Sequence, residues 1–186
     1  MTEWIWNAAV GLGTLGFAFL VFRVLVRREY ASRGHLSLPA SILEVLAFAF
    51  PLTWISTNLP REWPIVSVSL GMAAAGLLFF LLGAAGVVLS MALLGWHRTM
   101  GIRAEGLQTR GMYRFTRNPQ VLYFGLLLLG WVLLWPSWVG FAGFFVYAVS
   151  GHMMVLTEEE HLQVVYGEEY KRYCSEVPRY FQIFRK

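Results

Sequence analysis

Charged residues are scarce in this sequence, and their scarcity excludes most soluble folds. Only 14% of the 186 residues are Asp, Glu, Lys or Arg, whereas a soluble domain has about a quarter. Hydrophobic residues make up 57% of the chain, and the mean hydropathy is +0.54. Because the apolar residues form long runs instead of alternating with polar ones, they disfavour a β-barrel and indicate membrane helices.

Several motifs that are typical of soluble proteins are also missing. The single cysteine, Cys174, excludes an internal disulfide, and we expect it to be a free thiol. The sequence contains no cysteine–histidine metal cluster, no phosphate-cradling glycine loop and no Gly-x-Ser-x-Gly element. We therefore expect neither a bound metal nor a nucleic-acid partner, and we ascribe the net charge of +4 to membrane topology.

Five apolar runs predict an all-α integral membrane protein that forms one domain over residues 1–186. The predicted spans are residues 4–26, 39–54, 65–96, 119–135 and 138–156. As one straight helix the third run would be roughly 48 Å long, against a hydrocarbon core of about 30 Å. We therefore expect it to tilt, to project from the bilayer, or to kink near Gly83 or Gly86.

The basic residues fall almost entirely on one side of this arrangement. If the N-terminus lies outside, the cytoplasmic segments 23–35, 97–118 and 157–186 hold 4, 5 and 5 Lys or Arg residues, which is 14 of the 15. Only Arg61 lies on the other side. This asymmetry follows the positive-inside rule. It predicts a cytoplasmic C-terminus, in the cytoplasmic membrane if the protein is prokaryotic.

The first polar segment of interest leads directly into the fourth span. Gly111 permits a tight turn there, and Pro119 suits the first turn of a helix. Tyr113 and Arg117 are four residues apart and would share a face if the segment is helical. Arg117, at the membrane surface, favours a carboxylate or phosphate partner, or else it is an arginine of topology and lipid headgroups.

The second polar segment begins where the last span leaves the membrane. Glu158 starts a run of three carboxylates that repel one another, so a cationic partner is expected. The alternative is a solvated helix with ordinary Glu–Lys/Arg pairs. His152 lies seven residues before Glu159 and on nearly the same helical face, so it is either a functional group or a satisfied core histidine.

Only Pro136 and Ser137 separate the last two spans, which predicts a tight antiparallel hairpin. Such a hairpin would bring the 97–118 loop and the C-terminal tail together at the bilayer edge. A site with basic, aromatic and acidic groups there fits a soluble cationic or zwitterionic cofactor that meets a lipid-like substrate.

Together the two segments resemble the isoprenylcysteine carboxyl methyltransferase family and its phospholipid methyltransferase relatives. Leu107–Gly125 contains the pattern Leu-x-x-x-Gly-x-Tyr-x-x-x-Arg-(His/Asn)-Pro. Glu158–Tyr180 contains Glu-Glu-x-x-Leu-x-x-x-aromatic-Gly-x-x-Tyr-x-x-Tyr-x-x-x-Val-Pro. The resemblance implies a methyltransferase with S-adenosylmethionine as the methyl donor, held at the cytoplasmic face under the last two helices.

The resemblance also implies roles for individual residues. The matching donor-binding positions are Leu107, Gln108, Tyr113, Asn118, Pro119, Gln120 and Glu158. Glu158 would pair with the donor's ammonium group or accept hydrogen bonds from its hydroxyls. Among the catalytic candidates, Arg117 would hold a carboxylate or steady the pocket. Glu159 or His152, like Glu158, would assist proton removal from an amine acceptor.

Three positions depart from the family members that methylate prenylcysteine. Those members carry His at the position of Asn118, Arg at that of Met154 and His at that of Glu105, so the acceptor implied here is a different lipophilic molecule with an amine, hydroxyl or thiol.

Two other functions stay open. One is an NADPH-dependent membrane sterol or steroid reductase, whose members have a similar tail but a longer chain. The other is a non-enzymatic lipid-binding scaffold.

Overall fold

The computed structural model describes residues 2–58, 64–95 and 106–181, and the regular secondary structure within these ranges is entirely helical. The helices are α1 (Thr2–Phe19), which continues through a π-helical stretch (Leu20–Val26) into α2 (Arg27–Arg33), then α3 (Leu38–Asn58), α4 (Leu70–Leu94), α5 (Pro119–Leu134) and α6 (Trp138–Glu176). The all-α membrane fold predicted from the sequence is confirmed.

Four helical stretches are long and apolar enough to cross a membrane: Trp4–Arg33, Leu38–Thr57, Leu70–Leu94 and Trp138–Glu176. The remaining predicted span, α5, has 16 residues and is about 24 Å long, shorter than the hydrocarbon core of about 30 Å. Proline explains its length, since Pro119 starts the helix and Pro136 prevents its continuation. Each of the five predicted spans thus corresponds to a helix: four are long enough to cross a membrane, and α5 is shorter.

The third predicted span is shorter than residues 65–96. Helix α4 begins at Leu70 because the Ser69 hydroxyl caps it, accepting a hydrogen bond from the Met72 amide at 3.2 Å. It ends at Leu94, before Gly95 with φ 83°. The helix continues without interruption through Gly83 and Gly86, where a kink was one of three expected outcomes. Residues of α5 pack against both glycines, so their small size permits a close approach of helices.

Contacts at the two ends of the bundle show that successive helices run in opposite directions. At one end Arg23 and Glu160 form an ion pair of 2.8 Å. At the other end the Ile65 amide donates a hydrogen bond to the Pro136 carbonyl at 2.8 Å. The described parts of the arginine-bearing segments, residues 23–35, 106–118 and 157–181, therefore meet at one end, which we call the basic end.

The π-helical stretch fixes the first helix against α6 close to the basic end. The Thr157 hydroxyl donates to the Phe22 carbonyl inside this stretch at 3.1 Å and accepts a hydrogen bond from Arg23 at 3.0 Å. Phe22 is fully buried in a core formed by α1, the π-helical stretch and α3, against which Met153 and Met154 pack. These contacts hold Glu158, the next residue along α6, in a defined position.

Helix α6 extends well beyond its apolar part, which ends at Leu156. The sequence predicts a polar tail there, with a solvated helix as one alternative, and the structure continues the helix to Glu176. Gly167 interrupts it with φ 51° and ψ −118°, a left-handed conformation that favours glycine. The helix after this break packs Tyr170 and Tyr173 against Leu107.

Candidate functional site

A cavity opens at the basic end between α2, the 106–118 segment and the polar part of α6. It is lined by nine of the ten residues that the sequence singles out: Leu107, Gln108, Tyr113, Arg117, Asn118, Pro119, Gln120, Glu158 and Glu159. These residues come from two stretches of chain separated by the α5–α6 hairpin, which brings them together. Their individual roles stay predictions.

The 106–118 segment is held by the chain that follows α6. The Arg117 amide donates to the Pro178 carbonyl at 3.0 Å. The Thr116 hydroxyl and the Asn118 side-chain amide both donate to the Arg179 carbonyl, each at 3.1 Å. The C-terminal segment thereby fixes the entry to α5, where Pro119 and Gln120 line the cavity.

Tyr113 enters the cavity from a single 3₁₀ turn, Gly111–Arg114, instead of an α-helix. Gly111 has φ 63° at the start of the turn. The Tyr173 hydroxyl donates to the Tyr113 carbonyl at 2.7 Å, which anchors the turn to α6. The segment is not an α-helix, so the common face expected for Tyr113 and Arg117 in a helix does not form, although both residues line the cavity.

Arg117 forms a largely buried ion pair with Glu159. Their side chains are 12% and 11% exposed, and the guanidinium Nη1 lies 3.3 Å from the carboxylate Oε1. Arg179 binds the other carboxylate oxygen at 2.6 Å, and the Cys174 thiol also contacts the Arg117 guanidinium. The carboxylate partner expected for Arg117 is thus an internal one, and its low exposure does not fit a headgroup-binding arginine.

Glu160, the last of the three adjacent carboxylates, points away from the cavity toward the first helix. It pairs with Arg23 and with Arg27, each at 2.8 Å. The cationic partners expected from carboxylate repulsion are therefore present for Glu159 and Glu160.

Glu158 differs from its two neighbours because no described residue forms an ion pair or hydrogen bond with its carboxylate. It lies outside the apolar part of α6 and lines the cavity. Burial, together with the nearby charge of Glu159, raises the pKa of the Glu158 carboxyl to about 7. At neutral pH this group is therefore poised between its neutral and charged forms, as an acid or base in a functional site often is.

An aromatic wall of the cavity was not foreseen from the sequence. The rings of Tyr30 and His161 stack with a centroid distance of 4.0 Å and an interplanar angle of 7°, and both line the cavity. Burial lowers the pKa of His161, which favours the neutral imidazole. His161 lies next to the recognised Glu-Glu pattern, but Tyr30 is remote in sequence and carries no local signal.

His152, the remaining candidate, does not line the cavity. Its side chain is exposed, and Nδ1 lies 2.9 Å from the Tyr180 hydroxyl. The structure therefore places His152 against the C-terminal segment, apart from Glu158 and Glu159, and brings His161 to the cavity in its place.

Comparison with known proteins gives one finding. The family model described as Phospholipid methyltransferase matches residues 72–169, or 98 of the 186 residues. The match begins in α4 and ends in the polar part of α6, so it includes the 106–118 segment and all three adjacent glutamates. No curated protein and no solved structure matches the chain.

Proposed function

The chain belongs to the phospholipid methyltransferase family, and from this premise we propose that it transfers a methyl group from S-adenosylmethionine to a lipophilic acceptor in the membrane. The family is one of methyltransferases that act on lipid-type substrates; the donor and the acceptor class are our inference. One observation carries it: a single cavity gathers nine residues from two distant segments around Glu158, whose carboxylate has no described partner.

The residues present fit the chemistry of the proposed donor. S-adenosylmethionine, when bound, supplies an activated methyl group on a positively charged sulfur, and it also carries an ammonium group and two ribose hydroxyls. The Glu158 carboxylate can bind the ammonium group or accept from the hydroxyls. Tyr30, His161 and Tyr113 offer aromatic surface for an adenine ring or a cation.

The protein's own contribution is to position the reactants and to exclude water. An activated methyl group needs a nucleophile in line with it and a dry surrounding more than it needs further activation. The Arg117–Glu159–Arg179 group ties the 106–118 segment to α6 and so sets the shape of the cavity. Arg117 and Glu159 are thus proposed as positioning residues, and Glu158 is the group that can take up a proton.

The electrostatics of the cavity favour this donor over NADPH. Arg117 is the one Arg or Lys among the described lining residues, and Glu159 already pairs with it. Among the lining residues that the structure describes, the phosphate groups of NADPH would meet two carboxylates and no free cation, which is unfavourable in a buried site. We also propose that the basic end faces the cytoplasm, where the soluble donor is available, in accord with the positive-inside rule.

Equilibrium binding of radiolabelled S-adenosylmethionine to the detergent-purified protein tests this function. Glu158→Ala is expected to weaken binding at least about 100-fold, consistent with loss of a charge-assisted contact in a buried site. Glu168→Ala is the matched control, because Glu168 is 83% exposed and pairs only with Lys171. Wild-type affinity in a folded Glu158→Ala protein would remove Glu158 from the donor site and oppose the proposal.

A further inference from the structure

A second groove lies at the basic end, between the last turns of α4, the 3₁₀ turn and the start of α5. None of the residues that line it also lines the cavity around Glu158. Tyr113 and Arg114, neighbours in the 3₁₀ turn, thus belong to different sites, Tyr113 to the cavity and Arg114 to the groove. The groove is lined by Leu89, Leu93, Gly111, Met112, Arg114, Phe115, Thr116 and Tyr123.

The wall that α4 contributes to this groove is apolar and exposed. Leu89 and Leu93 lie four residues apart in the last two turns of α4, and they are 50% and 45% exposed. Because α4 is apolar and long enough to cross a membrane, these side chains belong to the surface that lipid covers. An acyl chain suits this wall, since a polar ligand would lose its hydration there without gaining hydrogen bonds.

The 3₁₀ turn adds a cation to this apolar groove. Arg114 lines the groove and is exposed, and its side chain forms no ion pair or hydrogen bond with any residue that the structure describes. The same holds for the exposed Arg110, which directly precedes the turn. Arg117 and Arg179, in contrast, both pair with a glutamate. Because the 106–118 segment contains no Asp or Glu, the charges of Arg110 and Arg114 are not balanced within it.

The geometry of the turn places these charges at the end of an apolar helix. A Cβ atom on Gly111 would lie 3.5 Å from Leu93 Cδ1, so the start of the turn packs on the end of α4. Phe115, which follows Arg114, is 78% exposed. Cations and an exposed aromatic ring at the end of a membrane helix are typical of the boundary between hydrocarbon and headgroups. The groove therefore joins an apolar wall at the level of the hydrocarbon to a cation at the level of the headgroups.

We propose that this groove binds a phospholipid with an anionic headgroup, with an acyl chain along Leu89 and Leu93 and the phosphate on Arg114. A guanidinium group donates paired hydrogen bonds to phosphate oxygens, and Arg110 adds a second positive charge nearby. A zwitterionic lipid offers the same chain and phosphate, but its ammonium charge offsets the attraction. This lipid is distinct from an acceptor in the cavity, and its binding does not depend on the methyltransferase function.

The test must separate this site from the general attraction of a basic membrane surface for anionic lipid. Arg28 provides the matched control, because it is exposed at the same end, lines neither the groove nor the cavity, and forms no ion pair with a described residue. Native mass spectrometry of the full-length protein in detergent measures Kd for phosphatidylglycerol, for phosphatidylcholine with the same acyl chains, and for the soluble probe glycerol 3-phosphate. The variants are Arg114→Gln and Arg28→Gln.

The wild-type protein is expected to bind phosphatidylglycerol roughly tenfold more tightly than phosphatidylcholine, and glycerol 3-phosphate far more weakly than either lipid. Arg114→Gln should weaken binding of phosphatidylglycerol roughly tenfold. The affinity of this variant for phosphatidylcholine should stay within about twofold, which shows that the apolar wall is intact. Arg28→Gln should change neither affinity by more than about twofold.

Several results would contradict the proposal. Equal losses in Arg114→Gln and Arg28→Gln assign the selectivity to overall charge, and loss of both lipids in Arg114→Gln indicates a structural role for this residue. Binding of glycerol 3-phosphate as tightly as the lipid shows an anion site without the acyl chain. If the wild-type protein binds neither lipid, a monomer indicates that the chain itself covers the groove, and a dimer indicates that a second copy does.

Discussion

The α4–α5 pair and the basic end are stabilised by different forces. Between α4 and α5 the helices touch through glycines. A Cβ atom on Gly83 would overlap the backbone of Leu127, and one on Gly86 would overlap the ring of Tyr123. Without a hydrophobic driving force between helices in lipid, such close packing is what stabilises the contact.

At the basic end, ion pairs and hydrogen bonds stabilise the packing instead. Arg117, Glu159 and Arg179 link the 106–118 segment to α6, and Arg23 links the first helix to Glu160. The α4–α5 pair, which we call the scaffold, therefore depends on the close fit of its helices, whereas the site at the basic end depends on charge. The stability of the scaffold should be sensitive to added side-chain volume, and the site should be sensitive to charge and pH.

The largest effect should come from added volume in the scaffold. Gly83→Val inserts atoms where the Leu127 backbone already lies, so the two helices must separate. We expect a loss of more than about 3 kcal/mol in the free energy of unfolding, at or beyond the upper end for overpacked sites. Gly71→Val is the matched control, since nothing lies within 4 Å of its added Cβ atom. Thermal unfolding in detergent measures both, and equal melting temperatures would contradict close packing at Gly83.

Removal of one charge at the basic end should have the next largest effect. Glu159→Gln leaves Arg117, 12% exposed, without its carboxylate partner. The expected cost is roughly 3 kcal/mol, as for an uncompensated charge in a largely buried pair. Glu168→Gln, at an exposed pair, should have no measurable effect. Chemical denaturation compares the two variants, and a small, equal change in both would show that the Glu159 pair is not stabilising.

The smallest expected effect is a pH dependence of the affinity for the donor. The stability of the α4–α5 pair should not depend on pH in this way. Because the pKa of Glu158 is raised to about 7, its carboxyl is mostly neutral below that pH and charged above it. A ligand with an ammonium group should bind up to roughly tenfold more tightly at about pH 8 than at about pH 6. Calorimetry with S-adenosylhomocysteine checks this, and Glu158→Gln should flatten the dependence. The same dependence in Glu158→Gln would assign it to another group.

The sequence predicted the helices better than their ends. Long apolar runs locate them, but caps and prolines decide where they begin and end, as Ser69 and Pro136 show. A solvated helix was one alternative for the polar part of α6, but the extent of this helix to Glu176 was not predicted. It depends on tertiary packing after Gly167, where Tyr170 and Tyr173 become buried.

For the candidate site, sequence reasoning was most informative for residues within the two recognised segments. It could not identify Tyr30 as a residue of the cavity, because Tyr30 lines the cavity only through the packing of α2 on α6. The choice of His152 came from helical periodicity along α6, which does not show what lies beside each face, and His161 was not singled out.

The central claim, that the cavity around Glu158 binds a methyl donor, is tested most directly by calorimetric titration of the detergent-purified protein. The titrants are S-adenosylhomocysteine, the demethylated form of the donor, and NADPH. We expect micromolar binding of S-adenosylhomocysteine and no detectable binding of NADPH. Binding of NADPH alone would contradict the claim in favour of a reductase, and binding of neither would contradict it in favour of a non-enzymatic membrane protein.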